Sequence, residues 1–179
     1  DMVSEAISRL GGLDYLINNA GTPGTSEPIP PSNIDAMTED FWQLLINVNL
    51  IGPFRCAHAA AQALEKSEGA IVNTASIAGV GKQGSSIVYS ATKSGLVSLT
   101  RSLARGLAPK VRVNAVAPGQ VKTPWTENWP EERKQFALDQ SVLKRRSSPE
   151  EIAQGILYLC AGSTMVTGHV LVIDGGMTL

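Results

Sequence analysis

The amino-acid sequence predicts an α/β protein in which helices cover both faces of a parallel sheet. Short runs of apolar, often β-branched residues alternate along the chain with longer segments whose apolar residues recur every three or four positions. The short runs are apolar throughout, which is typical of parallel strands buried on both faces. Alternation of this kind predicts consecutive βα units.

The length and composition fit one soluble domain with a sizeable core. The chain has 179 residues, of which 43% are hydrophobic and 17% are charged. Its net charge of −1 gives no electrostatic reason to expect binding to nucleic acid or to an anionic membrane. The two cysteines, Cys56 and Cys160, lie among apolar neighbours and predict buried thiols and a cytoplasmic protein. The sequence contains no cluster of cysteine, histidine and acidic residues at the spacing of metal ligands, so we expect no metal site.

Four apolar runs predict the strands. In chain order they are residues 13–17, 70–75, 111–116 and 170–174. Distinctive polar or turn-forming residues follow the first three: Asn19, Ser76 and the pair Pro118–Gly119. Because ligands bind beyond the carboxyl ends of parallel strands, we expect a functional site at this edge of the sheet.

Five segments have the apolar spacing of helices. They are residues 1–10, 38–67, 88–108, 130–140 and 148–160. Thr38 is a predicted cap, and Ser148 with Glu151 forms a predicted capping box. Gly11 and Gly12 are expected to end the first helix, and Gly52 with Pro53 to interrupt the second.

Two segments between these elements are predicted loops. Residues 22–35 contain four prolines, and residues 120–130 join the third strand to a short helix. Trp125 and Trp129, in the second loop, either line a lid over a substrate or pack the loop against the body of the protein.

A serine, a tyrosine and a lysine form the candidate catalytic group. Ser76 stands at the exit of a strand, and Tyr89 and Lys93 are four residues apart, on one face of the predicted third helix. A nearby ammonium favours the ionised form of a phenol, whose ordinary pKa is about 10. The spacing therefore predicts a proton donor and acceptor at Tyr89, with Ser76 placed to hold the oxygen that gains or loses the proton.

Five short motifs occur in order along the whole chain. They are Asn18–Gly21; Asn47–Leu50 with Gly52; Ser76, Tyr89 and Lys93; Pro118–Gly119 with Val121 and Thr123; and Asp174–Gly176. Each is weak alone, but in this order and on these elements they resemble the short-chain dehydrogenase/reductase family. The resemblance implies a Rossmann-like, doubly wound parallel sheet with helices on both faces.

The same resemblance implies an oxidoreductase that transfers a hydride between NAD or NADP and a small alcohol or ketone. Tyr89 would be the general acid/base, Lys93 would lower its pKa and bind the nicotinamide ribose, and Ser76 would bond the substrate oxygen. Asn49 would hold a water that links Lys93 to solvent. The remaining cofactor contacts would come from two groups: Asn19, Ala20 and Gly21 at the adenosine half, and Pro118, Gly119, Val121 and Thr123 at the carboxamide.

One departure from the family pattern is large. The family begins with a glycine-rich turn between a strand and a helix, which binds the cofactor pyrophosphate, and residues 1–179 contain no such turn. The chain starts within a helical pattern, with Asp1 as the only possible cap. We therefore interpret residues 1–179 as one domain, the C-terminal portion of an N-terminally truncated fold that lacks the first βαβ segment, with residues 13–17 as an edge strand.

The departure leaves two alternatives to an active enzyme. The chain could be a catalytically inactive fragment, or a scaffold that oligomerises. The choice between NAD and NADP also stays open, because the residue that selects the ribose would lie in the missing segment. The resemblance further implies a homodimer or homotetramer formed through the helices at 38–67 and 88–108.

Overall fold

Four parallel strands form the sheet. The structure, a computed structural model, describes residues 2–127 and 129–179. The strands lie in chain order, and each pairs in parallel with the next. Their bounds are β1 Tyr15–Asn18, β2 Ala70–Thr74, β3 Arg112–Pro118 and β4 Val170–Ile173. The carboxyl ends of all four strands consequently meet at one edge.

Within the residues that the structure describes, seven α-helices connect and cover the strands. Their bounds are α1 Met2–Leu10, α2 Glu39–Ile46, α3 Gly52–Ser67, α4 Ile87–Leu107, α5 Pro124–Glu127, α6 Glu131–Gln140 and α7 Pro149–Leu157. Two π-helical segments continue helices without a break: Asn47–Ile51 after α2 and Tyr158–Gly162 after α7. None of the helices in the described part of the chain combines the length and apolar character that a bilayer span requires.

Neighbouring side chains on the central strands point into two separate cores. Ile71 and Val113 pack on one face of the sheet with α1, α3 and α4. Val72 and Val116 pack on the opposite face with α7 and the π-helical segment that follows it. This alternation is the period of a β-strand, and it confirms a Rossmann-like parallel sheet with helices on both faces.

The first strand differs from the prediction in position. It begins at Tyr15 rather than at residue 13, and it forms an edge of the described sheet, as expected. Tyr15 and Ile17 are each 43% exposed, whereas their partners Ala70 and Val72 on β2 are fully buried. Asp1, the proposed cap of the first helix, lies outside the described residues.

The predicted interruption at Gly52 and Pro53 is wrong. The backbone stays helical from Glu39 to Ser67, through the π-helical segment at Asn47–Ile51. Pro53 occupies the first turn of α3 and has no N–H to donate. The residue before it, Gly52, donates its N–H to the Asn47 carbonyl, which is the five-residue spacing of a π-helix. The proline therefore marks a change of helix type instead of a break.

The segment at 120–130, predicted to be a loop, contains the short helix α5. Thr126 stabilises it, because its hydroxyl donates to the Val121 carbonyl at 2.6 Å and accepts from the Thr123 backbone N–H at 3.3 Å. Hydrophobic spacing could not indicate a helix of four residues, which is about one turn long.

Candidate active site

A cleft of about 540 Å³ opens beyond the carboxyl ends of the strands. Gly21 lines it after β1, residues 74–76 line it after β2, and Pro118 and Gly119 line it at the end of β3. Tyr89 and Lys93 of α4 reach the same cleft. The structure therefore brings Ser76, Tyr89 and Lys93 together at the edge where the sequence predicted a site.

Ser76 is held by a tight turn at the end of β2. Its hydroxyl accepts a hydrogen bond from the Ala78 backbone N–H at 3.2 Å and starts a 3₁₀ turn over Ile77–Gly79. That turn rests on the backbone of α4. A Cβ on Gly79 would stand 2.6 Å from the Lys93 carbonyl oxygen, closer than any side chain could fit. Ser76 is thus fixed against the helix that carries Tyr89 and Lys93.

Helix α4 begins at a serine cap that places Tyr89 in its first turn. The Ser86 hydroxyl accepts from the Tyr89 backbone N–H at 2.9 Å. Lys93 follows one turn later, and its Nζ lies 5.7 Å from the centre of the Tyr89 ring. The four-residue spacing therefore produces the shared face that the sequence predicted.

Burial dominates the ionisation of this pair. It raises the pKa of the Tyr89 phenol, and a hydrogen bond with Ser76 offsets part of the rise. Burial also lowers the pKa of Lys93 from 10.5 to about 8. The phenol pKa is therefore raised, where we had expected Lys93 to lower it, because desolvation penalises the phenolate more strongly than its surroundings stabilise it.

The Lys93 ammonium has N–H donors that no described residue accepts. It is 3% exposed, and its Nζ donates to the Thr74 carbonyl at 2.8 Å. An ammonium has three N–H donors, and this is its single hydrogen bond among residues 2–127 and 129–179. A Cβ on Gly21 would approach both Lys93 Nζ and Asn49 Oδ1 to 3.4 Å, so the glycine leaves room for a ligand hydroxyl beside the ammonium.

Asn49 lies behind this group, in the π-helical segment after α2, and is completely buried. Its side-chain amide bonds both backbone groups of Thr22, each at 2.9 Å, and donates to the Thr92 hydroxyl at 3.3 Å. The residue does not line the cleft. It fixes the loop after β1 against α4, and its expected role in holding a water stays a prediction.

Most of the predicted cofactor residues line the cleft. Those that do are Asn19, Gly21, Tyr89, Lys93, Pro118, Gly119, Val121 and Thr123. Ala20 is the exception. The Asn19 side-chain oxygen accepts from the Thr74 hydroxyl at 3.1 Å, which joins the ends of β1 and β2 at the floor of the cleft. We call Ser76, Tyr89 and Lys93, with Asn49 behind them, the inner wall.

The cleft is also lined by Trp125 and Trp129, which the sequence assigned either to a lid or to packing, and by Gln120 and Arg133, which sequence reasoning missed. We call Gln120, Trp125, Trp129 and Arg133 the outer wall; all four line the cleft. The Arg133 guanidinium carbon lies 3.4 Å from the centre of the Trp129 ring. Helical spacing does not indicate this contact, because Trp129 lies before α6 begins at Glu131.

Comparisons with known proteins agree with this geometry. A family model described as enoyl-(acyl carrier protein) reductase matches residues 1–178. The 3-oxoacyl-(acyl-carrier-protein) reductase FabG of Thermotoga maritima is 38% identical over 182 residues, covering 100% of this chain and 72% of that protein.

Two solved structures have the same fold. A short-chain dehydrogenase/reductase of the glucose/ribitol dehydrogenase type from Brucella melitensis superposes with a TM-score of 0.88 at 35% identity, covering 99% of this chain and 70% of that one. ElxO with NADP bound superposes with a TM-score of 0.87 at 30% identity, covering 99% and 72%.

Proposed function

The chain belongs to the short-chain dehydrogenase/reductase family of NAD(P)-dependent oxidoreductases, and from this premise we propose that Tyr89 is its general acid/base. The substrate is an alcohol or ketone, and the reaction interconverts the two. The observation that carries the proposal is the convergence of Ser76, Tyr89 and Lys93 on one cleft, where the buried Lys93 ammonium lies 5.7 Å from the centre of the Tyr89 ring.

The ionisation of Tyr89 favours the reductive direction. Because burial raises the pKa of its phenol, the side chain is neutral near pH 7 and can donate its proton to the oxygen of a ketone that is being reduced. Ser76, which lines the same cleft, would position that oxygen. In the oxidative direction Tyr89 accepts the proton of the alcohol, which requires the phenolate and so favours higher pH.

The residues present fit a nicotinamide cofactor. The free N–H donors of Lys93 and the space kept by Gly21 suit ribose hydroxyls. Asn19 and Gly21 would hold the adenosine half, and Pro118, Gly119, Val121 and Thr123 would hold the nicotinamide end. When bound, the cofactor supplies or accepts the hydride.

Replacement of Tyr89 by phenylalanine tests the assignment. We expect kcat to fall on the order of 10²–10⁴-fold because the proton donor is lost, with the Kd for NADH and NADPH nearly unchanged. Tyr158→Phe is the matched control, since Tyr158 is 47% exposed and lies outside the cleft. Undiminished turnover in Tyr89→Phe would remove this residue from the mechanism.

We also propose self-association through the α2–α3 and α4 surfaces. Leu44, Phe54 and Ile87 lie on these helices and are each between 42% and 48% exposed, and contact between subunits would remove this apolar surface from water. Light scattering coupled to size exclusion should give a mass of two or four subunits, and Phe54→Asp should lower that mass.

The alternative of a non-catalytic scaffold has its own test. If the oligomer is intact but binds neither NADH nor NADPH, the scaffold is favoured over the enzyme.

A further inference from the structure

Arg133 presents an oriented cation to the outer part of the cleft. Its guanidinium stacks on the Trp129 ring at 3.4 Å. Stacking engages the flat face of the guanidinium and leaves the N–H donors at its edge in one plane, the arrangement that matches a carboxylate. The side chain is only partly exposed, so its charge is partly removed from water.

No carboxylate in the described part of the chain lies within 4.0 Å of Arg133. Burial lowers the pKa of the guanidinium, and the Glu27 carboxylate, beyond ion-pair distance, opposes that change. Other arginines contrast with it: Arg145 pairs with Glu151 through two hydrogen bonds, and Arg112 donates to two carbonyls. A partly desolvated cation without a counter-ion has an energetic reason to bind an anion.

The position of Arg133 is tied to the sheet through Gln120. The Gln120 side-chain nitrogen donates to the Arg133 carbonyl at 3.4 Å, which joins α6 to the end of β3. Arg133 itself lines the cleft, so its unpaired charge argues for an anionic substrate end rather than a purely apolar one.

We propose that the substrate carries a carboxylate that pairs with the Arg133 guanidinium while its ketone or hydroxyl carbon lies at Ser76 and Tyr89. This inference rests on the proposed function, since it assigns the substrate class to the same cleft. Arg133 is then a specificity-determining residue that takes no part in proton transfer.

Calorimetric binding of matched ligands tests this assignment. The probes are oxohexanoates that differ in the position of the ketone, and their methyl esters, titrated into the protein with saturating oxidised NAD or NADP, which cannot reduce them. For at least one probe, we expect the wild type to bind the acid about tenfold more tightly than its ester, as a charge-assisted hydrogen bond provides. Arg133→Gln should bring that ratio close to one, and Arg133→Lys should restore part of it.

Two further variants serve as controls. Lys134→Gln removes a neighbouring cation that pairs with Glu131 and does not line the cleft, and should leave the ratio unchanged. Glu27→Gln removes a competing negative charge and should raise the affinity for the acid by a small factor. Arg133→Gln should weaken binding of the acid, whereas Glu27→Gln should strengthen it. Altered folding would not produce these opposite effects.

Three outcomes would overturn the assignment: a ratio near one for every probe in the wild type, a ratio retained in Arg133→Gln, or a loss of cofactor affinity instead of acid affinity in that variant. The last would assign Arg133 to a cofactor phosphate. The proposed function has a separate test in Tyr89→Phe. This variant should lose turnover and keep the acid-to-ester ratio, and full turnover would contradict the proposed function without bearing on Arg133.

Discussion

The inner and outer walls of the cleft are built on different principles. On the inner wall, Lys93 and Asn49 are buried and hydrogen-bonded, and the supporting elements are the sheet and the 21-residue helix α4. On the outer wall, Trp125 is 46% exposed, Gln120 has an unpaired oxygen, and the supporting helices α5 and α6 are short. The difference teaches that reaction geometry is fixed by the rigid scaffold, while recognition is left to surface elements.

Ser76→Ala and Trp125→Ala should show the largest difference in kinetic effect between the inner and the outer wall. We expect Ser76→Ala to lower kcat on the order of 10²-fold, because it removes a hydroxyl aimed at the oxygen where charge develops. Trp125→Ala should mainly raise KM, because it removes a contact to the bound substrate. Steady-state kinetics of both variants measure this, and an equal kcat loss in the two would end the distinction between the walls.

Asn49→Ala tests whether the inner wall is also a stabilising element. It leaves two partly buried backbone groups of Thr22 without partners, so we expect the free energy of unfolding to fall by about 2 kcal/mol. Asn47→Ala, in the same π-helical segment but exposed, should cost less than about 0.5 kcal/mol. Urea denaturation compares them, and similar losses would show that the buried amide bonds are not the reason.

Lys93 should make stability depend on pH. Its pKa is about 8 in the folded protein and near 10.5 without burial. Between these values the unfolded chain binds more protons, so stability rises with pH, by about 1 kcal/mol from pH 8 to pH 9. Lys93→Met should lose this rise in urea titrations at the two pH values. An identical slope in wild type and variant would show that Lys93 is not desolvated.

The smallest effect is expected at helix α7, whose residues Ile152 and Ile156 border the cleft opposite the catalytic group. Its capping box joins Ser148 and Glu151, so Ser148→Ala should lower stability by about 1 kcal/mol with kcat unchanged. Ser148→Thr keeps the capping hydroxyl and should differ little from wild type. Thermal unfolding measures both, and a change in kcat would show that α7 also supports the inner wall.

The sequence predicted the inner wall better than the outer wall. Strand exits and a four-residue helical spacing are local patterns, and they were enough to bring Ser76, Tyr89 and Lys93 to one cleft. The burial that raises the pKa of Tyr89 is set by the whole fold, so the direction of that shift was wrong. The loop that Asn49 clamps is 27 residues away in sequence, and no local pattern indicates such a contact.

Local residue preferences also gave a wrong prediction at a helix boundary. Gly52 and Pro53 are strong helix breakers in isolation, but packing on both sides keeps the helix intact through a π-helical turn. On the outer wall, the sequence indicated Trp125 and Trp129 only as one of two alternatives and did not indicate Gln120 or Arg133, because a short helix has too few residues for a periodic signal. The stack of Arg133 on Trp129 depends on where α5 and α6 settle against the end of β3.

The contact at Gly79 has a consequence for how this enzyme can change. Because the turn after β2 rests directly on the backbone of α4, the distance between Ser76 and Tyr89 does not depend on α5 or α6. A gene library that randomises the codons of the outer wall, while keeping residues 76–93, should therefore yield new substrate preferences in proteins that still fold. The architecture lets selectivity evolve without rebuilding the chemistry.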